Sequence, residues 1–310
     1  MSEPRRHHLA PQFYLRRFAN KQDQIQVVSR DLKKSFVTSV EKAAKETDFY
    51  AVATADGRSQ DVERLLSQIE DLGAPAIQAV TSGGFPPSTA DREAVAMFIA
   101  FQFTRGRNHR DAWNMMTDYT TKLFIHGMTE DDARARLTAA TGTAPSDKDV
   151  RSIVELGQNL DSWEVVPHPN EAIKAMLDNT PQLVPYIMER RWRLARFGKP
   201  LLLTSDSPVA LWRRVHSSAY GIGIANADEI RFPLDPQHAL ILTLDGSEMV
   251  WDLHDRHAAD LNRSVGAVGY EWIYRHPEYD ALEELKLPPP RPPIHISGPL
   301  PKPSTDRDSK

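Results

Sequence analysis

The stretch from Ala94 to Phe101 places the strongest constraint on the fold of this 310-residue chain. All of its residues are apolar, so a helix through them is hydrophobic nearly all round and must be buried on every side. The run is far shorter than the roughly 20 apolar residues that a helix needs to cross a bilayer. The sequence therefore predicts a soluble protein in which other elements surround one central helix.

Signals on both sides of this run predict a helical body. Ser88 is suited to cap the central helix, and Asp91 suits the positive end of the helix dipole. A preceding helix is predicted from Ser59 to about Val80, with Gly73 and Pro75 as the place where it would kink or split. Further helical patterns cover Asp111–His126, Thr129–Thr141, Ser146–Leu160 and Asn170–Phe197.

Strand patterns lie before and after the helical body. Residues 24–30 alternate polar and apolar side chains, and residues 35–40 are predicted to pair with them. A third early strand is predicted for residues 48–52. Later strands are predicted at residues 201–204, 229–232, 239–244 and 268–274, with a helix at residues 254–265. The predicted fold class is α+β, a predominantly helical body with short N-terminal strands and a C-terminal mixed sheet.

The end of the chain differs in composition from the rest. Eight prolines lie in the final 23 residues, where few apolar side chains accompany them. Such a segment favours extended polyproline conformations and buries too little apolar surface to fold. We therefore predict a single α+β domain over residues 5–286 and a disordered tail over residues 287–310.

Cysteine content and charge exclude several classes of function. The chain has no cysteine, which excludes disulfides, thiolate catalysis and cysteine metal sites. It begins with charged sequence and without an apolar secretory segment, so the expected location is the cytoplasm and no membrane partner is expected. A net charge of −4 gives no overall attraction to nucleic acid, which would need a local basic patch.

A second constraint lies near the start of the chain. The stretch His8-Leu9-Ala10-Pro11-Gln12-Phe13-Tyr14-Leu15-Arg16-Arg17-Phe18, with His7 before it, resembles the signature of a widespread microbial family, domain of unknown function 4238. Further likenesses follow in the family's order at residues 63–70, 98–105, 203–209 and 232–236, so the resemblance covers roughly residues 7 to 275. Gly106 departs from the family's pattern, in which a Thr-Pro-like continuation is expected. The resemblance implies a layout and no mechanism, and it is compatible with a stand-alone bacterial effector, including a defence role.

The residue types in these segments, taken with the resemblance, predict one polar pocket. Histidine and carboxylate side chains can bind a divalent ion or exchange protons near neutral pH. Arginine offers a fixed fork to a phosphate, and Gln or Asn amides can orient a ligand or a water. The predicted catalytic residues are His8, Glu63, Glu70 and Asp206, and the predicted ligand-binding residues are His7, Gln12, Gln102, Arg105 and Asn262.

This set of side chains suits phosphoester hydrolysis, as in a nuclease or a nucleotide hydrolase. Glu63 and Glu70 lie two helical turns apart on one side of their predicted helix. Gln102 and Arg105 lie three residues apart at the end of the central helix, so they share a face. Either a divalent metal or Arg105 would have to neutralise the carboxylates. The sequence favours the arginine, because it contains no close spacing of metal ligands.

Two alternatives to a hydrolase stay open. The same pocket could bind a nucleotide or another anion without catalysis. The polar residues could instead belong to a structural scaffold, with an ion pair of Glu70 and Arg105 between helices and Asp206 stabilising its own turn. Nucleic acid could meet the basic cluster at residues 105–110 or the run at residues 189–193, although an amphipathic helix burying Trp192 explains that run equally well. The substrate, the metal and the oligomeric state are not determined by the sequence.

Overall fold

A computed structural model of the chain describes residues 6–8, 10–43, 45–47, 53–54, 57–58, 61–214, 221–282 and 285–289. Side chains are described for residues 10–43, 64–214, 221–282 and 285–289. The described chain falls into two compact units. The first contains the residues up to Arg110 and those from Ile173 onward, and the second contains Asp111–Ala172. The single domain predicted for residues 5–286 stays a prediction.

Helices and strands together confirm the predicted α+β class. The α-helices are α1 (Gln12–Arg16), α2 (Asp61–Thr81), α3 (Thr89–Thr104), α4 (Arg107–Ile125), α5 (Glu130–Thr141), α6 (Asp147–Gln158), α7 (Pro169–Met188) and α8 (Arg256–Val268). The strands are β1 (Arg6–His8), β2 (Gln24–Ser29), β3 (Ser35–Ser39), β4 (Lys45–Thr47), β5 (Ala53–Thr54), β6 (Gly57–Arg58), β7 (Arg191–Arg196), β8 (Thr204–Ser205), β9 (Ala210–Trp212), β10 (Glu229–Asp235), β11 (His238–Thr243), β12 (Met249–Asp252) and β13 (Trp272–Arg275).

The central helix α3 is buried as its apolar sequence predicts. Ser88 caps it, since its hydroxyl accepts a hydrogen bond from the backbone N–H of Asp91 at 3.2 Å. The ring of Phe98 packs against Phe13 of α1 at a centroid distance of 5.1 Å. A Cβ on Gly73 of α2 would lie 3.2 Å from the same ring, so the glycine allows the close approach of α2. The predicted split of α2 does not occur, because the helix runs unbroken through Pro75.

The larger sheet is mixed and lies after the helical body, as predicted. Its strand order is β12-β7-β11-β10-β9, with β12 parallel to β7 and the other pairs antiparallel. The predicted pairing of β2 with β3 is also confirmed. These two early strands do not form a sheet of their own. They continue into β13 and β8, in the order β3-β2-β13-β8, so the N-terminal strands share a sheet with the last strand of the fold.

The helix predicted over residues 170–197 is wrong in its last part. Helix α7 ends at Met188, and Arg191–Arg196 form strand β7. Trp192 and Leu194 are both buried, which is the two-residue period of a strand. Arg190, next to β7, is also buried, and its guanidinium donates to the carbonyl oxygens of Ile224 and Ala227. Arg190 of this charged run therefore binds the protein's own backbone.

The second unit is helical. It contains the part of α4 from Asp111, together with α5, α6 and a short 3₁₀ turn at Leu160–Ser162. Thr129 and Asp132 form a capping box at the start of α5, which ends on Gly142 in the left-handed conformation. No helix of the described chain in either unit is long and apolar enough to span a membrane.

The chain packs on the first unit slightly beyond the predicted domain end at residue 286. Leu285 is buried, and the side chain of Leu287 lies so close to Gly266 of α8 that a Cβ there would come within 2.8 Å of it. Arg30 donates a hydrogen bond to the carbonyl oxygen of Pro288 at 2.8 Å. The predicted disorder falls mostly on residues 290–310, which lie outside the described residues, and there it stays a prediction.

Candidate functional site

The signature helix α1 is fixed by a buried tyrosine. The Tyr14 hydroxyl donates to the carbonyl oxygen of Pro233 at 2.8 Å and lies 2.7 Å from the hydroxyl of Thr204. Its ring stacks on Phe232 at 5.3 Å. Burial raises the pKa of the Tyr14 phenol far above its usual value, although the bond with Thr204 lowers it, so the group stays neutral. Three of the segments that resemble the family signature therefore meet at one side chain.

Arg17 makes a second link from α1 to the same region. Its guanidinium donates to the carbonyl oxygen of Leu234 at 2.8 Å and reaches the carboxylate of Asp235 at 3.2 Å. It also bonds Gln78 and Thr81 at the end of α2. The sequence does not single out this arginine, because Arg16 and Arg17 are adjacent residues of the same type. Only the fold distinguishes them, leaving the Arg17 side chain 15% exposed and the Arg16 side chain 51% exposed.

Asp235 is held in its ionised form by two neighbours. Burial by itself would raise the pKa of Asp235, but the hydrogen bond and charge of His238, with Arg17, bring that pKa below its ordinary value. The His238 Nδ1 atom lies 3.0 Å from the carboxylate. Because an ionised carboxylate only accepts, Nδ1 carries the proton. These contacts fix the turn between β10 and β11.

Glu70 of α2 forms an ion pair with Arg105, the C-cap of α3, apart from the contacts of Tyr14, Arg17 and Asp235. The Arg105 Nη1 atom is 3.3 Å from Glu70 Oε1, and the guanidinium also lies over the Phe101 ring at 4.5 Å. The arginine side chain is 3% exposed and the glutamate side chain 28%, so the pair reaches solvent on the glutamate side. Burial raises the pKa of Glu70, and the charge of Arg105 only partly opposes this effect.

Gln102 lies one turn before Arg105 on the same side of α3, where residues three apart are neighbours. It is 2% exposed, and neither atom of its side-chain amide has a hydrogen-bond partner within the described part of the chain. A buried polar group left unpaired costs about 1–3 kcal/mol, and native proteins contain few of them. Glu70, Gln102 and Arg105 are called the Arg105 cluster below.

Asp206 is fully engaged with backbone. Its carboxylate accepts hydrogen bonds from the N–H groups of Tyr270 and Glu271, each at 2.7 Å, and of Trp272 at 2.9 Å. Burial raises the pKa of Asp206 to about 6, although these three bonds oppose the shift. The carboxylate thus fixes the start of β13 and not only its own turn. A catalytic role for Asp206 stays a prediction, but its oxygens already serve the fold.

Asn262 of α8 is likewise a link between backbone segments. Its Oδ1 atom accepts from the N–H of Leu203 at 3.1 Å, and its Nδ2 atom donates to the carbonyl oxygens of Leu201 at 2.8 Å and Ala281 at 3.1 Å. Gln12, at the start of α1, accepts from Arg16 at 2.8 Å. The ligand-binding roles predicted for both amides stay predictions.

The Arg105 cluster and the Asp206 turn are joined through the residues next to them. A Cβ on Gly106 would lie 3.2 Å from the hydroxyl of Ser207, so a glycine suits this close approach. Asn108 donates to the same hydroxyl at 3.2 Å and to the carbonyl oxygen of Val268 at 2.8 Å. The departure from the family pattern at Gly106 thus falls where the turn after α3 meets the Ser207 turn.

Part of the predicted site lies outside the described side chains. His7 and His8 belong to strand β1, which pairs with β4, and Glu63 belongs to the first turn of α2. Their side chains are not described, so their catalytic and ligand-binding roles stay predictions. Among the side chains that are described, no group of three or more His, Asp or Glu could hold a metal ion. A divalent metal that used the remaining residues stays a prediction as well.

Comparison with known proteins gives a family and no activity. Residues 6–279 match the sequence model of a family described as "Protein of unknown function (DUF4238)". The search of curated proteins gave no match, and neither did the search of solved structures. The matched region contains every residue predicted for the site.

Proposed function

Because the chain belongs to the DUF4238 family of proteins of unknown function, we propose a function from the Arg105 cluster itself: it binds the phosphate group of a ligand. The observation that carries this proposal is the buried Arg105 beside the buried Gln102, whose amide has no hydrogen-bond partner among the described residues. Guanidinium groups are weakly hydrated and match the oxygens of a phosphate with their fork, so they suit a buried anion site.

The state of Glu70 supports an anion at this place. A carboxyl whose pKa is raised by burial gives up its charge more readily than an exposed one. When a phosphate approaches Arg105, its negative charge disfavours the Glu70 carboxylate further, so Glu70 takes up a proton. The neutral acid can then donate a hydrogen bond to a phosphate oxygen in place of its ion pair. The Glu70 side chain is 28% exposed, so the cluster borders solvent on this side, and we propose that the phosphate approaches from there.

Phosphoester hydrolysis is the second candidate, and the raised pKa of Glu70 favours it. A carboxyl that titrates closer to neutral pH can deliver a proton to a leaving oxygen. The developing negative charge would lie against Arg105. Asp206 is a weak candidate for the base, because three backbone N–H groups already occupy its oxygens. His8 stays the predicted base. A role in bacterial defence stays a prediction from family resemblance.

Binding of inorganic phosphate to the full-length protein tests the proposal, measured by calorimetry in a phosphate-free buffer. We expect wild type to bind and Arg105→Met to lose at least tenfold in affinity, which corresponds to about 1.4 kcal/mol. Arg105→Lys, which keeps the charge without the fork, should fall between them and serves if the Met variant does not fold. The control is Arg16→Met, because that arginine is half exposed. Unchanged binding in both Arg105 variants would contradict the proposal.

Hydrolysis is tested separately with phosphomonoesters, nucleotides and single-stranded nucleic acid as substrates. If Glu70 is the acid, Glu70→Gln should abolish release of the product while the protein still binds phosphate. If the wild-type protein binds phosphate but hydrolyses none of these substrates, the binding proposal stands and the hydrolase proposal is contradicted.

A further inference from the structure

Tyr274 of β13 carries, like Gln102, a buried polar group without a hydrogen-bond partner among the described residues. Its side chain is fully buried, and its hydroxyl has no hydrogen-bond partner within the described residues. Burial raises the pKa of this phenol well above its usual value, and the nearby carboxylates of Asp206 and Glu271 raise it further, so the group is a neutral donor. Within the described part of the chain, no hydrogen bond accounts for a tyrosine rather than a phenylalanine at this position.

Tyr274 lies on the side of β13 that packs toward α1. Neighbouring residues of a strand point to opposite faces, and Ile273 packs with Val265 of α8. Tyr274 belongs instead to the cluster that holds Tyr14 of α1 and Phe98 of α3. Gln102 follows Phe98 by four residues and therefore continues the same stripe of α3. Among the described residues, both groups without a partner thus adjoin the core that contains Tyr14 and Phe98.

A chain of contacts links the two groups. The backbone of Tyr274 pairs with that of Thr204, whose hydroxyl contacts Tyr14, and the Tyr14 ring lies 6.0 Å from that of Phe98. A second link runs through Asp206, whose charge raises the pKa of the Tyr274 phenol. The next residue, Ser207, lies against Gly106. Gly106 directly follows Arg105. The Asp206 turn therefore connects the strand pair of Thr204 and Tyr274 to the residue that follows Arg105.

We propose that the Tyr274 hydroxyl and the Gln102 amide recognise the part of the ligand next to its phosphate, and that this part carries hydroxyl groups. The inference rests on the proposed function, since it places the phosphate at Arg105. Together the two groups offer N–H and O–H donors and a carbonyl acceptor. A hydroxyl group both donates and accepts, so it satisfies this set, whereas phosphate oxygens chiefly accept. The ligand class is a phosphorylated sugar, whether free or part of a nucleotide.

This assignment gives the two residues an unusual signature. A polar group that waits for a ligand destabilises the free protein, because its hydrogen bonds are not made. Replacing it by an apolar residue of similar shape should therefore stabilise the free protein and lower its affinity for the ligand. Tyr14 provides the matched control. It is as deeply buried as Tyr274, but both Thr204 and Pro233 bond its hydroxyl.

The experiment compares wild type, Tyr274→Phe, Gln102→Met and Tyr14→Phe by melting midpoint and by calorimetric binding. The probes are inorganic phosphate, ribose 5-phosphate and adenosine 5′-monophosphate. We expect Tyr274→Phe and Gln102→Met to raise the midpoint of the free protein by about 2 °C or more. Each should weaken ribose 5-phosphate binding about three- to tenfold. Tyr274→Phe, which lies outside the Arg105 cluster, should leave phosphate binding unchanged. Tyr14→Phe should lower the midpoint and leave both affinities unchanged.

The outcomes separate this inference from the proposed function. If no probe binds wild type, both fail. If phosphate binds but ribose 5-phosphate binds no more tightly, only the inference fails. It also fails if Tyr274→Phe lowers the midpoint as Tyr14→Phe does, because the phenol is then satisfied within the fold. Adenosine 5′-monophosphate binding more tightly than ribose 5-phosphate supports the inference and identifies a nucleotide. The reverse order supports it with a free sugar phosphate.

Discussion

The hydroxyls of Tyr14 and Thr204 lie 2.7 Å apart, although 190 residues separate them in the sequence. Which hydroxyl donates in this bond follows from the second partner of Tyr14, the carbonyl oxygen of Pro233. The carbonyl oxygen of Pro233 can only accept, so the Tyr14 proton goes there and Thr204 donates to the tyrosine oxygen. One phenol thus joins α1, β8 and β10 inside the core. This explains structurally why tyrosine stands within the signature helix.

The first prediction concerns this phenol. Tyr14→Phe should lower the free energy of unfolding by about 1–3 kcal/mol, because the Pro233 carbonyl and the Thr204 hydroxyl lose a buried partner. Urea denaturation measures the change. Tyr186→Phe is the control, since Tyr186 is about half exposed and should change stability little. In a double-mutant cycle with Thr204→Val, the two changes should be less than additive. Full additivity would show that the hydroxyls do not interact.

The second prediction concerns the end of the chain. Removing residues 290–310 should leave the melting midpoint nearly unchanged. Removing the chain from Leu285 onward should lower it by several degrees, because burying one leucine side chain contributes about 1.5–3 kcal/mol and two leucines pack here. The loss of the Arg30 bond to Pro288 adds to this effect. Equal midpoints for both truncations, by calorimetric melting, would contradict the packing of this segment.

The third prediction concerns the pH dependence of Asp206. Its pKa is raised from 3.8 to about 6 in the folded protein, so the folded state holds the proton more tightly than the unfolded state. Stability is therefore favoured at low pH and is lost as pH rises from about 4 to about 6. The shift corresponds to roughly 3 kcal/mol.

Asp206→Asn does not titrate, so the comparison isolates this group. Between pH 4 and pH 7, wild type should lose about 3 kcal/mol of unfolding free energy relative to the Asn variant. Chemical denaturation at several pH values measures the difference. A slope of the opposite sign, with wild type gaining as pH rises, would mean that the three backbone hydrogen bonds outweigh burial.

The sequence predicts those helices best whose starts carry local signals. Ser88, Thr129 and Ser146 cap α3, α5 and α6 as their positions indicate. Strand β7 was missed because its Arg, Leu and Ala residues favour helices, while its partner strands β11 and β12 both lie more than 40 residues away. Tertiary pairing overrides local preference there.

In the candidate site, too, local sequence patterns predict some contacts, whereas others depend on the tertiary fold. The neighbourhood of Gln102 and Arg105 follows from helical spacing, and their helix was recognised from sequence. The bonds of Asp206 to residues 270–272 could not be foreseen, because no local pattern links them. Tyr274 resembles any tyrosine of a core strand. Only the fold shows that its hydroxyl, unlike that of Tyr14, finds no partner among the described residues.

The last prediction separates an arginine-paired site from a metal site at Glu70. Sulfate is the probe, because it stays a dianion across the useful pH range and mimics phosphate at Arg105. If the anion drives Glu70 to its neutral form, wild-type affinity should fall as pH rises through the Glu70 pKa, which burial raises. Glu70→Gln is neutral at every pH, so its affinity should depend less on pH and exceed that of wild type at high pH.

Calorimetric titrations at several pH values measure this, with Glu155→Gln as the control, because Glu155 is exposed on α6. The control should follow wild type. If Glu70 instead binds a metal ion, the carboxylate and not the neutral acid is the functional form. Mn²⁺ would then raise the wild-type melting midpoint, since a ligand that binds only the folded state stabilises it, and Glu70→Gln would abolish that rise. A Mn²⁺ response that depends on Glu70, together with sulfate binding that ignores pH, would overturn the arginine-paired site.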